Sequence, residues 1–217
     1  MIGSPPTVQL RSLNVGALER LTAERPLKSG IRKHSVQGPV LCDAEGLVGD
    51  AIGNRTHHGG PDQALYLYSA ADYAWWTTEL GRECGPGLFG ENLTLDAWWP
   101  APRVGDRVQF GEVLLELTAP RIPCNTLATR MGDPQFVRRF ARAVRPGAYV
   151  RVLQTGVLEA GMTGTVTRGK AEWPSIDALF RLWHETPRDK AGLMAAIGAP
   201  IESRMRARFL GWVADRG

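Results

Sequence analysis

Cys124 stands in Pro120-Arg121-Ile122-Pro123-Cys124-Asn125-Thr126, a thiol in a proline-stiffened loop three residues from a guanidinium. A neighbouring cation favours the thiolate, the form that attacks electrophiles and ligates soft metals. Cys42, inside an apolar run, reads instead as a packing residue. Three further clusters hold polar groups that chemistry could use. In Gly30-Ile31-Arg32-Lys33-His34-Ser35, backbone amides beside the Lys33 and Ser35 donors can hold a phosphate. In Arg55-Thr56-His57-His58-Gly59-Gly60-Pro61-Asp62, preceded by Gly49-Asp50, adjacent histidines of an extended segment point opposite ways. They are therefore a poor metal pair, and one of them faces a pocket. Gly59 and Gly60 allow backbone to approach a ligand closely, although a tight turn with Pro61-Asp62 explains them nearly as well. In Gly87-Leu88-Phe89-Gly90-Glu91-Asn92-Leu93-Thr94, an amide between a turn and a strand can both donate to and accept from a planar heterocycle.

The charge pattern points the same way. The chain has 217 residues, 26 basic and 22 acidic, for a net charge of +4. Between Arg121 and Arg151 there are seven arginines against a single acid, Asp133, a balance that suits an anionic partner. Part of this run reads as a helix with a solvated face: Asp133 as N-cap, Pro134 in the first turn, Phe136, Phe140 and Val144 as the apolar stripe, and Arg138, Arg142 and Arg145 opposite. Arg121 and Arg151 fall outside it. The pI of about 9.2 raises nucleic-acid binding, but so small a net charge without a recognisable binding module argues against it. Three cysteines lie far apart with no Cys-x-x-Cys pair, so reduced thiols are expected. No apolar run approaches the ~18 residues of a membrane span, and the opening residues lack the features of a signal peptide. A cytoplasmic protein is the expectation.

Positioning these groups requires a scaffold. Short runs of strand length, Val8 to Leu10, Val36 to Cys42, Val104 to Phe110, Val113 to Leu117 and Tyr149 to Leu153, separated by glycine and proline, predict a mainly β sandwich or barrel. One clear helix is predicted over Ala70 to Leu80, with Ser69 and Asp72 as a capping box and Tyr73, Trp76 and Leu80 on one face. After about Lys170 the apolar period changes to that of helices. Ser175 caps one; Thr186-Pro187-Arg188-Asp189 reads as cap, first-turn proline and capping-box acid of a second; Ile201, Met205, Phe209 and Trp212 stripe a third. The expected division is a β-barrel domain over residues 1–170 and a three-helix domain over 171–217, the latter too small to stand alone and so packed on the former.

Taken together, Gly30-Ile31-Arg32-Lys33-His34-Ser35, Gly46-Leu47-Val48-Gly49-Asp50, His57-His58-Gly59-Gly60-Pro61-Asp62, Tyr66-Leu67-Tyr68-Ser69, Gly90-Glu91-Asn92-Leu93-Thr94, Gly105-Asp106, Pro120-Arg121-Ile122-Pro123-Cys124 and Tyr149-Val150-Arg151-Val152-Leu153 form an ordered signature covering nearly the whole chain. It resembles the MOSC proteins (molybdenum cofactor sulfurase C-terminal domain), and more closely their YiiM-like branch with three C-terminal helices. The resemblance implies a β-barrel that binds molybdenum cofactor, with Cys124 as the protein ligand to molybdenum and Lys33, Ser35, Arg55, His58, Asn92 and Arg121 around the pterin and phosphate. Asn125-Thr126, Gln63 and Ala148 depart from residues frequent in the family, which bears on substrate preference and partner docking.

The YiiM-like proteins are similar to enzymes that reduce N-hydroxylated compounds, such as hydroxylamino purines, to amines. On this reading Cys124 and His58 are the catalytic residues, His58 as proton donor because an imidazole titrates near pH ~6.5. With neither clustered cysteines nor a dinucleotide fingerprint, the chain needs a separate electron-transfer protein. Arg204, Arg206 and Arg208 are the candidate docking residues. Tryptophans among Trp75, Trp76, Trp98 and Trp99, if exposed, could form a homodimer interface. The rival readings are a non-catalytic carrier of the cofactor or its sulfur, and a cysteine hydrolase pairing Cys124 with His58.

Overall fold

A computed structural model describes residues 4–22, 28–53 and 58–215. In chain order the elements are β1 (Thr7–Val15), β2 (Glu19–Arg20), β3 (Lys28–Ser29), β4 (His34–Val36), β5 (Val40–Asp43), β6 (Gly46–Leu47), a 3-10 turn (Pro61–Gln63), β7 (Leu65–Ser69), α1 (Ala70–Leu80), β8 (Leu93–Leu95), β9 (Arg107–Phe110) and β10 (Val113–Pro120). There follow α2 (Asn125–Met131), α3 (Phe136–Ala143), β11 (Ala148–Gln154), β12 (Gly156–Leu158), β13 (Thr163–Thr167), α4 (Ile176–His184), α5 (Lys190–Ile197) and α6 (Ser203–Ala214).

Seven strands close into a barrel in the order β1-β13-β9-β10-β11-β7-β8 and back to β1, with β4 appended to β1. Every pairing in the ring is antiparallel except β7 with β8. The length of β1 makes closure possible: Thr7 to Gln9 pair with β13, Leu10 to Leu13 with β8, and Leu13 to Val15 with β4. Alternation does the rest. Val108 and Phe110 of β9 point inward while Arg107 and Gln109 face water, and Leu115, Leu117 and Val150 meet them in the barrel. Gly164 belongs to the same design, since a Cβ there would lie 2.5 Å from the Phe110 ring; the missing side chain is the space that ring fills.

A second core lies outside the barrel, where α1, α3 and α4 cover β7. Tyr68, Tyr73, Trp76, Phe89, Phe136, Phe140 and Phe180 are all buried there. Phe89 is at its centre, edge-on to Tyr68, Trp76 and Phe140 at centroid separations of 5.2, 5.6 and 5.6 Å. The three C-terminal helices pack on the barrel itself: Leu179, Leu193, Met205 and Phe209 join the core that contains the barrel leucines. No helix among the described residues is long and apolar enough to cross a membrane.

The mainly β barrel with added helices matches the expectation, and α1 has the expected bounds, its Ser69 side chain accepting from the Asp72 amide. Several local expectations need correction. Val36 to Cys42 is two strands in two sheets, interrupted at Gln37-Gly38-Pro39, where Gly38 has φ 76° and Pro39 has no N–H for a ladder. Val104 to Asp106 is a turn because the buried Asp106 carboxylate draws in the Trp99 indole at 2.7 Å and the Arg103 and Gly169 amides at 3.1 and 2.7 Å. Asp133 opens a turn by accepting from the Gln135 amide, so α3 starts later. Arg145 lies beyond α3, paired with Asp72 at 2.5 Å and stacked on Trp75. Asp189, not Thr186, caps α5, accepting from the Ala191 and Gly192 amides. Trp76 and Trp99 are core residues rather than exposed ones.

Candidate functional site

At one end of the barrel a cleft opens between the segment 28–33, the segment 50–53, the loop from His58, and the connection from β10 into α2. Its deep wall is aromatic and basic, formed by Tyr66, Tyr149, Phe89 and Arg121. Gly30 and Gly53 keep the first two segments in backbone contact: a Cβ on Gly30 would collide with the Ala51 carbonyl, and one on Gly53 with the Lys28 carbonyl.

Cys124 projects into this cleft as the N-cap of α2, with extended backbone angles of φ −135° and ψ 170°. The loop that brings it there leaves β10 at Pro120 and is stiffened again at Pro123. Burial pushes the thiol up, but a hydrogen bond with His58, the charge of Arg121 and the Leu127 amide outweigh it and hold the thiol at about 6. Near neutral pH the group is therefore mostly thiolate.

Arg121 is the fixed counter-charge. It is 5% exposed, donates to the Phe89 carbonyl, and lies 5.1 Å from the centroid of Tyr66. Burial opposes its charge, yet Tyr66, Tyr149 and the Cys124 thiol more than compensate and keep the guanidinium protonated. Its aromatic companions are themselves anchored: the Tyr66 hydroxyl donates to the Pro146 carbonyl at 2.8 Å, and Tyr149 packs on Tyr66 at 5.2 Å.

Lys33 also lines the cleft, but both Asp50 carboxylate oxygens hold its ammonium, and both side chains are almost wholly buried. Burial pulls the Lys33 ammonium below its ordinary value, against the opposing pull of Asp50. Asp50 also accepts from the Gly16 amide at 2.9 Å and from the Asn92 amide group at 2.8 Å. Asn92 is thereby committed to the scaffold, since its side-chain oxygen accepts from the Tyr66 amide at 3.2 Å. Glu91 is fully buried, accepting from Tyr73, the Gly87 amide and Thr94 at 2.6, 2.6 and 2.9 Å. Burial raises its carboxyl. Lys28 at the mouth is the exposed cation of this lining, with no acidic partner among the described residues.

Of the residues singled out in the sequence, the structure brings Lys33, His58, Asn92, Arg121 and Cys124 together. Ser35 lies outside: its hydroxyl sits 2.8 Å from that of Ser12 and donates to Asn14 at 3.0 Å, a network on the barrel wall. Gly60 turns away to a shallow groove against the start of α6, while Gly59 lines the cleft. Arg55 and His57 lie outside the described residues. Lys28, Tyr66 and Tyr149 are not among the sequence's site candidates, and Asp50, named there beside the histidine cluster, has no assigned partner; nothing in the local sequence ties it to Lys33, which is 17 positions away. The candidate docking arginines are largely committed. Arg204 donates to Glu202 at 2.7 Å, and Arg206 to the carbonyls of Ile197 and Ala199, leaving Arg208 exposed.

Residues 54–163 match the MOSC domain. The chain belongs to that family. Within the MOSC family it is 36% identical over 160 residues to the protein YiiM of Escherichia coli, covering 72% of this chain and 71% of YiiM. It is 33% identical over 165 residues to a protein of Gibberella moniliformis named "Reductase", of which the match occupies 29%. The crystal structure of YiiM from Geobacillus stearothermophilus superposes with a TM-score of 0.80 at 25% identity, over 96% of this chain and all of that one. The seven-stranded barrel with its helices is therefore a MOSC barrel followed by C-terminal helices, and MOSC domains are associated with molybdenum cofactor binding.

Proposed function

We propose that the cleft holds a molybdenum cofactor with Cys124 as protein ligand to the metal, and that the protein reduces N-hydroxylated compounds to amines with electrons from a separate electron-transfer protein. The observation that carries this reading is a cleft-lining thiol at about 6 beside the buried, anchored guanidinium of Arg121. The donor set fits the group: a thiolate is a soft ligand, and Arg121 and Lys28 suit an anionic cofactor. When bound, that cofactor supplies two-electron redox capacity and Lewis acidity.

The chain's own residues do the rest. Arg121, immobilised by the Phe89 carbonyl, holds positive charge beside the sulfur without a rotamer search. Tyr66 and Tyr149, their rings tilted 42° to each other, form an aromatic wall against which a planar ring can pack. Lys33 acts as scaffold, because Asp50 already neutralises it; the contact for an anionic tail falls to Lys28. His58, hydrogen-bonded to Cys124, is the group placed to hold and give a proton there. Conversion of a hydroxylamine to an amine and water consumes two electrons and two protons. Cys42 and Cys84 are buried away from the cleft, in keeping with electrons that arrive from another protein.

The test is molybdenum content and pterin fluorescence of protein purified anaerobically from a cofactor-competent host, beside Cys124→Ala. Near-stoichiometric molybdenum in the wild type and its loss in the variant are expected, with reduction of a hydroxylamino purine by dithionite-reduced methyl viologen. Absence of metal and pterin from both proteins overturns the reading. Cofactor without turnover makes the protein a carrier. The His58–Cys124 hydrogen bond also favours a cysteine hydrolase, which is distinguished by ester hydrolysis in metal-free protein.

A further inference from the structure

The loop that carries His58 is held from two sides, by the start of α6 and by β10 and β11 of the barrel. Arg204, in the first turn of α6, donates from Nη2 to the Gly59 carbonyl at 2.5 Å, next in the chain to His58. Its Nε is oriented by Glu202, whose other oxygen accepts from the Met205 amide at 2.6 Å and so caps α6. Glu202 is 2% exposed and its amide donates to the Thr118 carbonyl of β10 at 3.1 Å, which seats the start of α6 on the barrel. Three residues further along the loop, Asp62 accepts from the Ser203 amide at 3.0 Å and pairs with Arg151 of β11 at 2.9 Å. The Arg151 guanidinium in turn donates to the Pro200 carbonyl at 3.2 Å, between α5 and α6. Thr118 Oγ1 lies 2.6 Å from the Asp62 carbonyl and 3.1 Å from that of Tyr149, its one proton serving either. Loop, α6, β10 and β11 are thus laced together directly behind Tyr149.

We infer that Arg204, with Asp62, is a positioning residue: through these bonds the C-terminal helices fix the loop that carries His58, and with it the placement of His58 beside Cys124. Neither side chain lines the cleft: Arg204 acts through the Gly59 carbonyl next to His58, and Asp62 anchors the far end of the loop to the Ser203 amide and Arg151. The inference rests on the assignment of His58 and Cys124 as the working pair. It gives the C-terminal helices a role in the cleft of the barrel beyond covering its core.

The test uses the full chain without cofactor, so a failure here leaves the molybdenum assignment standing, and the metal analysis leaves this one standing. Amide hydrogen exchange over residues 58–64 and the assigned imidazole resonance of His58 are compared in wild type, Arg204→Met, Arg204→Lys and Arg206→Met. Loss of a charged hydrogen bond to Gly59 should speed exchange in that segment by about tenfold or more and displace the His58 resonance. Arg204→Lys should recover part of both. Arg206→Met breaks bonds confined to the C-terminal helices and should leave both at wild type. Unchanged exchange and an unmoved resonance in Arg204→Met, or equal effects from Arg204→Met and Arg206→Met, overturn the inference. Should Arg204→Met fail to fold, Asp62→Asn carries the same test: faster exchange over 58–64 with a shifted His58 resonance supports the inference, and wild-type behaviour overturns it.

Discussion

Cys42 is fully buried and Cys124 half-buried at the wall of the cleft, and burial pushes both thiols up, yet the two end on opposite sides of the ordinary value. Cys42 sits in β5, fully buried, next in the chain to Asp43; burial first and the carboxylate second push it up to about 12. Cys124 bears a burial penalty as well, and the His58 and Leu127 donors together with the charge of Arg121 bring it to about 6. The contrast teaches that burial alone does not set a thiol's chemistry. For Cys42 burial sets the sign and the neighbouring acid adds to it; for Cys124 an imidazole, an arginine and a helix-start amide reverse it.

The largest expected consequence is selectivity. At pH 7 the two thiolate populations differ by roughly 10⁵, from about 6 and about 12, so iodoacetamide should label Cys124 and leave Cys42 untouched in folded protein, read by peptide mass spectrometry. Comparable labelling of both would break the comparison.

Removing the charged partner sharpens it. Arg121→Met in metal-free protein should raise the Cys124 midpoint by about one to three units, followed by thiolate absorbance, and should destabilise the fold because the Phe89 carbonyl loses its buried donor. His58→Gln should raise it too, leaving the Arg121 contribution in place, and it should flatten the pH profile of turnover if His58 gives the proton.

The smallest effect is on stability and has opposite pH windows for the two thiols. The folded value of Cys124 lies below the unfolded one, near ~8.5, so its contribution is full above that value and is lost as pH falls through about 6. It amounts to a few kcal/mol at most, at about 1.4 per unit. Cys42 is raised, so its contribution is present below ~8.5 and lost as pH rises toward 12. Urea titrations of metal-free wild type, Cys124→Ala and Cys42→Ala at pH 5.5, 7.5 and 9.5 should show the wild type losing its margin over Cys124→Ala on the acid side, and over Cys42→Ala on the alkaline side.

The same distinction separates what could be read in the chain from what could not. Arg121 and Cys124 are three residues apart in a loop bounded by prolines, so their proximity follows from covalent geometry. Ser69 and Asp72 at the start of α1 were legible for the same reason. Lys33 looked like a phosphate contact because its counter-ion is 17 residues away, and only closure of the segments 30–33 and 50–53 onto each other makes the pair. Ser35 looked like a ligand donor until β4 paired with β1 and turned it toward Ser12 and Asn14. Arg204 and Arg206 looked like a charged surface because no sequence pattern shows which backbone carbonyls lie within reach of a guanidinium.

By itself the sequence determined what is local and periodic: strand alternation, helix caps, a stiffened thiol loop with its own arginine, and an ordered set of motifs sufficient to resemble the family. Tertiary structure decided which cations remain available. Charge is written into the chain residue by residue, but whether it is spent on Asp50, on the Gly59 carbonyl or left at the mouth of a cleft depends on contacts between segments far apart in sequence, which barrel closure and the packing of the C-terminal helices bring together.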